Sequence, residues 1–138
     1  MSRLEYFIVS ESIAIDASTN RVSFFHVLEQ VNPGSFPHQI ARACAVATLI
    51  DDGNDRGELT ATVIVTGPDS PPVRADDIRF SFESERVRLI FEFPLLTISE
   101  RGQVVFELLV NDEHKASHEV MVRHASELEE PTPPSGQD

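Results

Sequence analysis

Ile78-Arg-Phe-Ser-Phe-Glu-Ser-Glu-Arg-Val-Arg-Leu-Ile-Phe-Glu-Phe93 is the stretch that decides the fold. Ile78, Phe80 and Phe82 alternate with Arg79, Ser81 and Glu83, and after a polar turn Val87, Leu89, Phe91 and Phe93 alternate opposite Arg88 and Glu92. An extended chain points successive side chains to opposite faces, so each run reads as a strand with one face in a core and the other in water.

The same pattern recurs outward in both directions. Leu59, Ala61, Val63 and Val65 alternate with Thr60, Thr62, Ile64 and Thr66, and Val104, Phe106, Leu108 and Val110 repeat it around Glu107. Strands are expected at Glu5 to Ile15, Val22 to Val31, Ala41 to Ile50, Glu58 to Thr66, Ile78 to Phe82, Arg86 to Phe93, Gln103 to Val110 and Lys115 to His124. Asp16 to Asn20, Asn32 to Ser35, Asp51 to Gly57, Gly67 to Pro72 and Asn111-Asp112 separate them, each rich in residues that accept turn geometry. Helix has little room left. The fold class is all-β, an antiparallel sandwich of about eight strands.

The 138 residues suit one domain, and 41% hydrophobic against 25% charged is ordinary for a chain that folds unaided. Residues 1–124 are expected to form the sandwich. From Ala125 to Asp138 Leu128 is the only large apolar side chain, so residues 125–138 read as a disordered, acidic, proline-rich tail. The charge is lopsided, with 23 acids against 11 bases and a net −12. Nucleic acid and anionic membrane surfaces select for basic patches and would repel such a body, which discounts both as partners. A single cysteine, Cys44, rules out an internal disulfide and any Cys-pair metal motif. Glu5, Ser10, Glu11 and Ser12 interrupt the apolar start before a signal-peptide core develops, and no run approaches the ~20 apolar residues of a membrane span. The expected location is the cytoplasm.

Leu4-Glu-Tyr-Phe-Ile-Val-Ser10, the turn Asp16 to Arg21, the strand Val22 to Val31 and Phe36-Pro37 resemble the start of a family of small bacterial proteins, a domain of unknown function. Arg101-Gly-Gln-Val-Val-Phe-Glu-Leu-Leu-Val-Asn-Asp112, followed by His118 to Arg123, resembles that family's closing hairpin. The resemblance covers most of residues 4–123. It implies an immunoglobulin-like sandwich and no particular activity.

Candidate chemistry is sparse. His118 and His124 share a strand face but are six residues apart, about 20 Å at ~3.3 Å per residue, too far for one zinc ion with bonds of ~2.1 Å. His26, His38 and His114 flank loops or turns. Cys44 lies between Ala43 and Ala45 in an apolar run, where a thiol behaves as a small buried hydrophobe. No G-x-S-x-G elbow is present, and a phosphate cradle would not be built between Gly53 and Gly57 among Asp51, Asp52 and Asp55. Glu92 and Glu107 sit at water-facing positions of their strands. No catalytic, cofactor-binding or metal-ligating residue is assigned, and no cofactor is expected.

One weak candidate comes from counting strand directions. If successive strands run antiparallel, Asp16, Asp51, Asp52, Asp55, Glu83, Glu85, Asp112 and Glu113 gather at one pole. Such a pole would suit a hard cation or a basic protein segment, although Asp51 to Glu58 lacks the spacing of a calcium loop. The favoured expectation is a non-enzymatic binding or assembly module presenting loops or a sheet edge to a protein partner. The alternatives are an enzyme whose site is assembled from several strands and a weak cation-binding sandwich.

Overall fold

Period-two alternation becomes two sheets packed face to face in the computed structural model, which describes residues 3–53, 57–68 and 71–128. Its strands are β1 (Arg3–Ile15), β2 (Val22–Val27), β3 (Gln30–Val31), β4 (His38–Ile40), β5 (Ala43–Ile50), β6 (Leu59–Thr66), β7 (Val73–Arg74), β8 (Ile78–Phe80), β9 (Arg86–Phe93), β10 (Leu96–Ile98), β11 (Gly102–Val110) and β12 (Glu113–Val122). No α-helix occurs among the described residues. The first sheet has the order β2-β1-β5-β9, the second β3-β12-β11-β6-β7 with β8 also on β6, and β4 pairs β10 in a two-stranded ribbon.

The apolar phases read from the sequence meet between the sheets. Phe7, Val9, Ala45, Ala47, Leu89, Phe91 and Phe93 from the first sheet pack with Val63, Phe106, Leu108, Val120 and Val122 from the second in one core cluster. Phe80, Phe91 and Phe106 are 9%, 2% and 0% exposed. Phe93 and Phe106 meet edge to face across the layers with ring centroids 5.7 Å apart, an arrangement worth roughly 0.5–1.5 kcal/mol beyond the area it buries.

Central strand β5 is buried on both faces. Ala43, Ala45, Ala47 and Leu49 face the core, while Cys44, Val46 and Thr48 point the other way and are buried as well. The cover is the β1–β2 hairpin. β1 pairs with β5 only up to Ser10, opposite Cys44, and from there on with β2 alone. Were β1 straight, Ile13 and its partner Phe24 would lie about 23 Å from Tyr6 at ~3.3 Å per residue, yet the Phe24 and Tyr6 rings are 5.9 Å apart. The strand therefore turns back just after Ser10, whose hydroxyl donates to the Ser12 carbonyl at 3.0 Å, and the hairpin lies over the outer face of the first sheet.

Four features depart from the sequence reading. The run Val22 to Val31 is not one strand. Leu28, 5% exposed, donates its amide to the Val9 carbonyl at 2.9 Å, and the chain then crosses to the second sheet, where Gln30 and Val31 pair with Met121 and Val122. That pairing is parallel, so the sandwich is not wholly antiparallel. His38–Ile40, Val73–Arg74 and Leu96–Ile98 are extra strands beside prolines, where short runs look like turns. The chain also continues past residue 124 in a 3-10 turn, Ala125–Leu128, anchored by the Ala125 amide on the Pro33 carbonyl at 2.9 Å. Residues 129–138 of the expected tail lie outside the described residues.

Candidate interaction site

The first sheet ends in β2 on one side and in β9 on the other, and β9, with eight residues, is the longer of the two edge strands. In an antiparallel ladder alternate residues turn their backbone groups to opposite sides. The Asp51 amide donates to the Glu85 carbonyl at 2.8 Å, in register with the β5–β9 ladder. That fixes the phase: Val87, Leu89, Phe91 and Phe93 direct N–H and C=O toward β5, whereas Arg86, Arg88, Ile90 and Glu92 direct theirs to the far side. No described strand pairs there. β9 spans eight residues without proline or lysine, the residues that commonly blunt an edge.

Side chains at the same four positions lie on the outer face. Arg86 makes a two-pronged ion pair with Glu5, Nε to Oε1 at 2.8 Å and Nη2 to Oε2 at 2.9 Å. Both groups are substantially exposed, so the pair adds geometry more than stability. Arg88 reaches under the hairpin tip, its Nη2 on the Asn20 carbonyl at 2.7 Å and its Nη1 on the Asn20 amide oxygen at 3.2 Å. Its Nε is buried without a hydrogen-bond partner. Tyr6, Ser84 and these groups line an open polar cleft of about 470 Å³ beside the edge.

Most of the acidic candidates do reach one end. Ile50 pairs with Arg86, Leu59 with Phe80 and Val110 with Glu113, so the loops holding Asp51 and Asp52, Glu83 and Glu85, and Asp112 and Glu113 all leave from the same end of the two sheets. Asp16 does not join them by strand alternation, because it belongs to the hairpin tip carried over the outer face. Asp55 lies outside the described residues. The carboxylates are used locally: Asp16 Oδ1 accepts from the Ser18 amide and hydroxyl at 2.8 Å each and the Thr19 amide at 3.0 Å. These bonds, the Ser18 hydroxyl foremost, hold the Asp16 pKa below its usual value. Asp51 Oδ1 accepts from the Gly53 amide at 2.9 Å. Among the described residues no group of three or more His, Cys, Asp or Glu side chains is placed to hold a metal ion.

The histidines are scattered. His26 Nδ1 lies 3.0 Å from Glu11, His114 Nδ1 2.7 Å from Glu107, His118 Nε2 2.6 Å from the Leu28 carbonyl and His124 Nδ1 2.9 Å from the Ser126 hydroxyl. The His118 contact fixes the sheet-crossing point of the chain. Cys44 is 4% exposed under the hairpin, and burial, aided by the charge of Glu92, pushes its thiol pKa up. That is the opposite of what an activated nucleophile needs. A second cleft, about 450 Å³, opens between the bend of β1 and β4, with Glu11, His38 and Arg42 on its rim. Sequence reasoning missed the edge phase and the role of Arg88, since both depend on which strands become neighbours.

Among the described residues, two sheets packed around a shared core, with strand edges left unpaired at β9 and β2, make this an all-β domain. Residues 5–123 match the model of DUF6941, a family of unknown function, and the chain belongs to that family. No curated protein matches it. Among solved structures it is similar to the Pseudomonas fluorescens alkylpurine DNA glycosylase AlkC bound to DNA containing an abasic site analog, with a TM-score of 0.52 and 13% identity over 88% of this chain. It is also similar to the Listeria innocua β-glucosidase in complex with glucose, with a TM-score of 0.49 and 17% identity over 88% of this chain. The chain spans 30% of the first protein and 16% of the second. At these identities the likeness to the glycosylase is one of fold. No helix among the described residues is long and apolar enough to cross a membrane.

Proposed function

We propose that this domain is a non-enzymatic binding module, an immunoglobulin-like sandwich that offers the β9 edge to an extended strand of a protein partner. The unpaired phase of β9 carries the reading: four successive outward residues, Arg86, Arg88, Ile90 and Glu92, present backbone donors and acceptors along one line. Strand addition uses such a line for affinity and the flanking side chains for selectivity. The strand orders β1-β5-β9 and β12-β11-β6-β8 support the immunoglobulin-like assignment, since they follow the A-B-E and G-F-C-C′ arrangement of variable-type domains. The net charge of −12 favours a protein partner over nucleic acid or an anionic membrane, and a lone buried thiol suits the cytoplasm.

The test is Ile90→Pro, which deletes an outward N–H without touching a bond to β5. A native-host protein retained by the wild type and released by this folded variant, with the Arg88, Ile90 and Glu92 amides gaining exchange protection in the complex, is the expected result. Partners retained equally by both proteins would sink the edge as the binding surface.

A further inference from the structure

Resting on the edge reading, we infer that the strand received by β9 is β9 of a second copy of this chain, in a two-fold antiparallel pairing centred on Leu89. Register and charge together select this pairing. Hydrogen-bonded pairs across a new ladder must join residues of the outward phase, which leaves few two-fold registers. Centring on Leu89 sets Arg86 opposite the partner subunit's Glu92 and Glu92 opposite the partner subunit's Arg86, with Arg88 and Ile90 facing each other twice. All four outward residues of each strand then find a backbone partner. Centring one residue earlier sets Arg88 against its own copy, a like-charge pair directly opposite, which destabilises a sheet. Centring one residue later brings Arg86 against Pro94, which has no N–H to give.

The side chains on the two faces agree with this register. On the inner face Val87 comes opposite the partner subunit's Phe91, an apolar pair that prolongs both cores. On the outer face the attractive Arg–Glu pairs lie at the two ends of the ladder, where they set alignment. Arg86 already holds Glu5 through Nε and Nη2, which leaves Nη1 available. The result is one continuous eight-stranded sheet, β2-β1-β5-β9 followed by its two-fold copy, and the isologous contact closes without leaving a β9 edge open.

The experiment is sedimentation equilibrium of the full chain at 0.15 M ionic strength, where screening acts over about 8 Å, with amide exchange read on the same samples. Wild type should dimerise reversibly, and the Arg86, Arg88, Ile90 and Glu92 amides should become protected as dimer forms. Arg86→Glu and Glu92→Arg should each weaken the dimer by about tenfold or more, and the double variant should regain most of the loss. Ile90→Pro, checked for folding by circular dichroism, should be monomeric. A protein that stays monomeric at every concentration while those amides exchange fast overturns self-pairing and leaves the edge open for another partner. Slow exchange of the same amides in a monomer overturns the open edge too, because the chain itself would be covering it. A dimer indifferent to all these variants overturns the assigned interface.

Discussion

Arg88, on the third of the paired strands β1, β5 and β9, donates to the backbone carbonyl of Asn20 at 2.7 Å, sixty-eight residues away in the chain. This bond pins the tip of the β1–β2 hairpin to the sheet beneath it. Charged hydrogen bonds to neutral partners contribute about 1.5–3 kcal/mol, but here the orphaned Nε of the same guanidinium offsets part of that. Arg88→Ala should therefore destabilise by about 1–2 kcal/mol in urea unfolding. It should also speed amide exchange selectively at Asn20 and its neighbours, and unchanged exchange there would show that the ring contact of Phe24 with Tyr6 holds the hairpin alone.

Phe106 is fully buried and meets Phe93 from the opposite sheet. Phe106→Ala should cost about 3–5 kcal/mol, measured by chemical denaturation. Phe80→Ala, at the 9% exposed end of the core, should cost less than Phe106→Ala. Equal losses at the two positions would contradict the packing gradient.

Cys44 is held as a neutral thiol in the fold because burial and the nearby Glu92 disfavour its thiolate. With the folded pKa above the unfolded one, its contribution to stability is complete below the unfolded thiol pKa, about 8.5. It is lost as pH rises through the folded value. Comparing unfolding free energies of wild type and Cys44→Ala from pH 7 to 10 isolates this from other groups: the wild type should lose ground to the variant at the alkaline end. A constant difference would mean that the thiol titrates alike in both states.

Asp16 has the opposite sign. Its folded pKa is lowered by the Ser18 and Thr19 donors, so its contribution is present above the unfolded carboxylate pKa, about 3.9. It fades as pH falls through the folded value. Asp16→Ala should be less stable than wild type at neutral pH, and the gap should close on acidification in parallel thermal melts.

Gly102 has φ of +143°, and a Cβ built there would stand 2.9 Å from Pro68 Cγ. Gly102→Ala combines backbone strain with that collision and should lower stability by about 1–3 kcal/mol, visible as a lower unfolding temperature. No change would require the Pro68 ring to yield freely.

How much of this was legible in the residues depends on what alternation encodes. It reports which face of a strand is apolar, so the runs at Leu59 to Val65, Val87 to Phe93 and Val104 to Val110 gave the core directly. It is blind to which sheet a strand joins, and so Val22 to Val31 read as one piece although Leu28 is where the chain changes layer. Three-residue strands such as His38–Ile40 and Leu96–Ile98 are shorter than any period can register, and Pro37 and Pro94 disguise them as turns. The β9 margin was legible only as a possibility, since the outward phase of Arg86, Arg88, Ile90 and Glu92 follows from the ladder with β5. Arg88 looked like a water-facing charge, and its half-buried position, with Nε out of solvent, follows from a hairpin bend that no local pattern announces.

The parallel pairing of Gln30 and Val31 with Met121 and Val122 has a consequence for how the protein is made. A chain emerging in order from the ribosome, at about 5–20 residues per second, can assemble β1, β2, β5 and β9 early. Leu28 can already bond to Val9 of β1, but residues 29–31 have no strand to pair with until β12 arrives to take them. The bond between His118 and the Leu28 carbonyl sets the same requirement. Closure is therefore a late step in synthesis of the domain, the loop it closes spans most of the domain, and a nascent chain stalled before Glu113 would carry an unclosed seam down one side of its core.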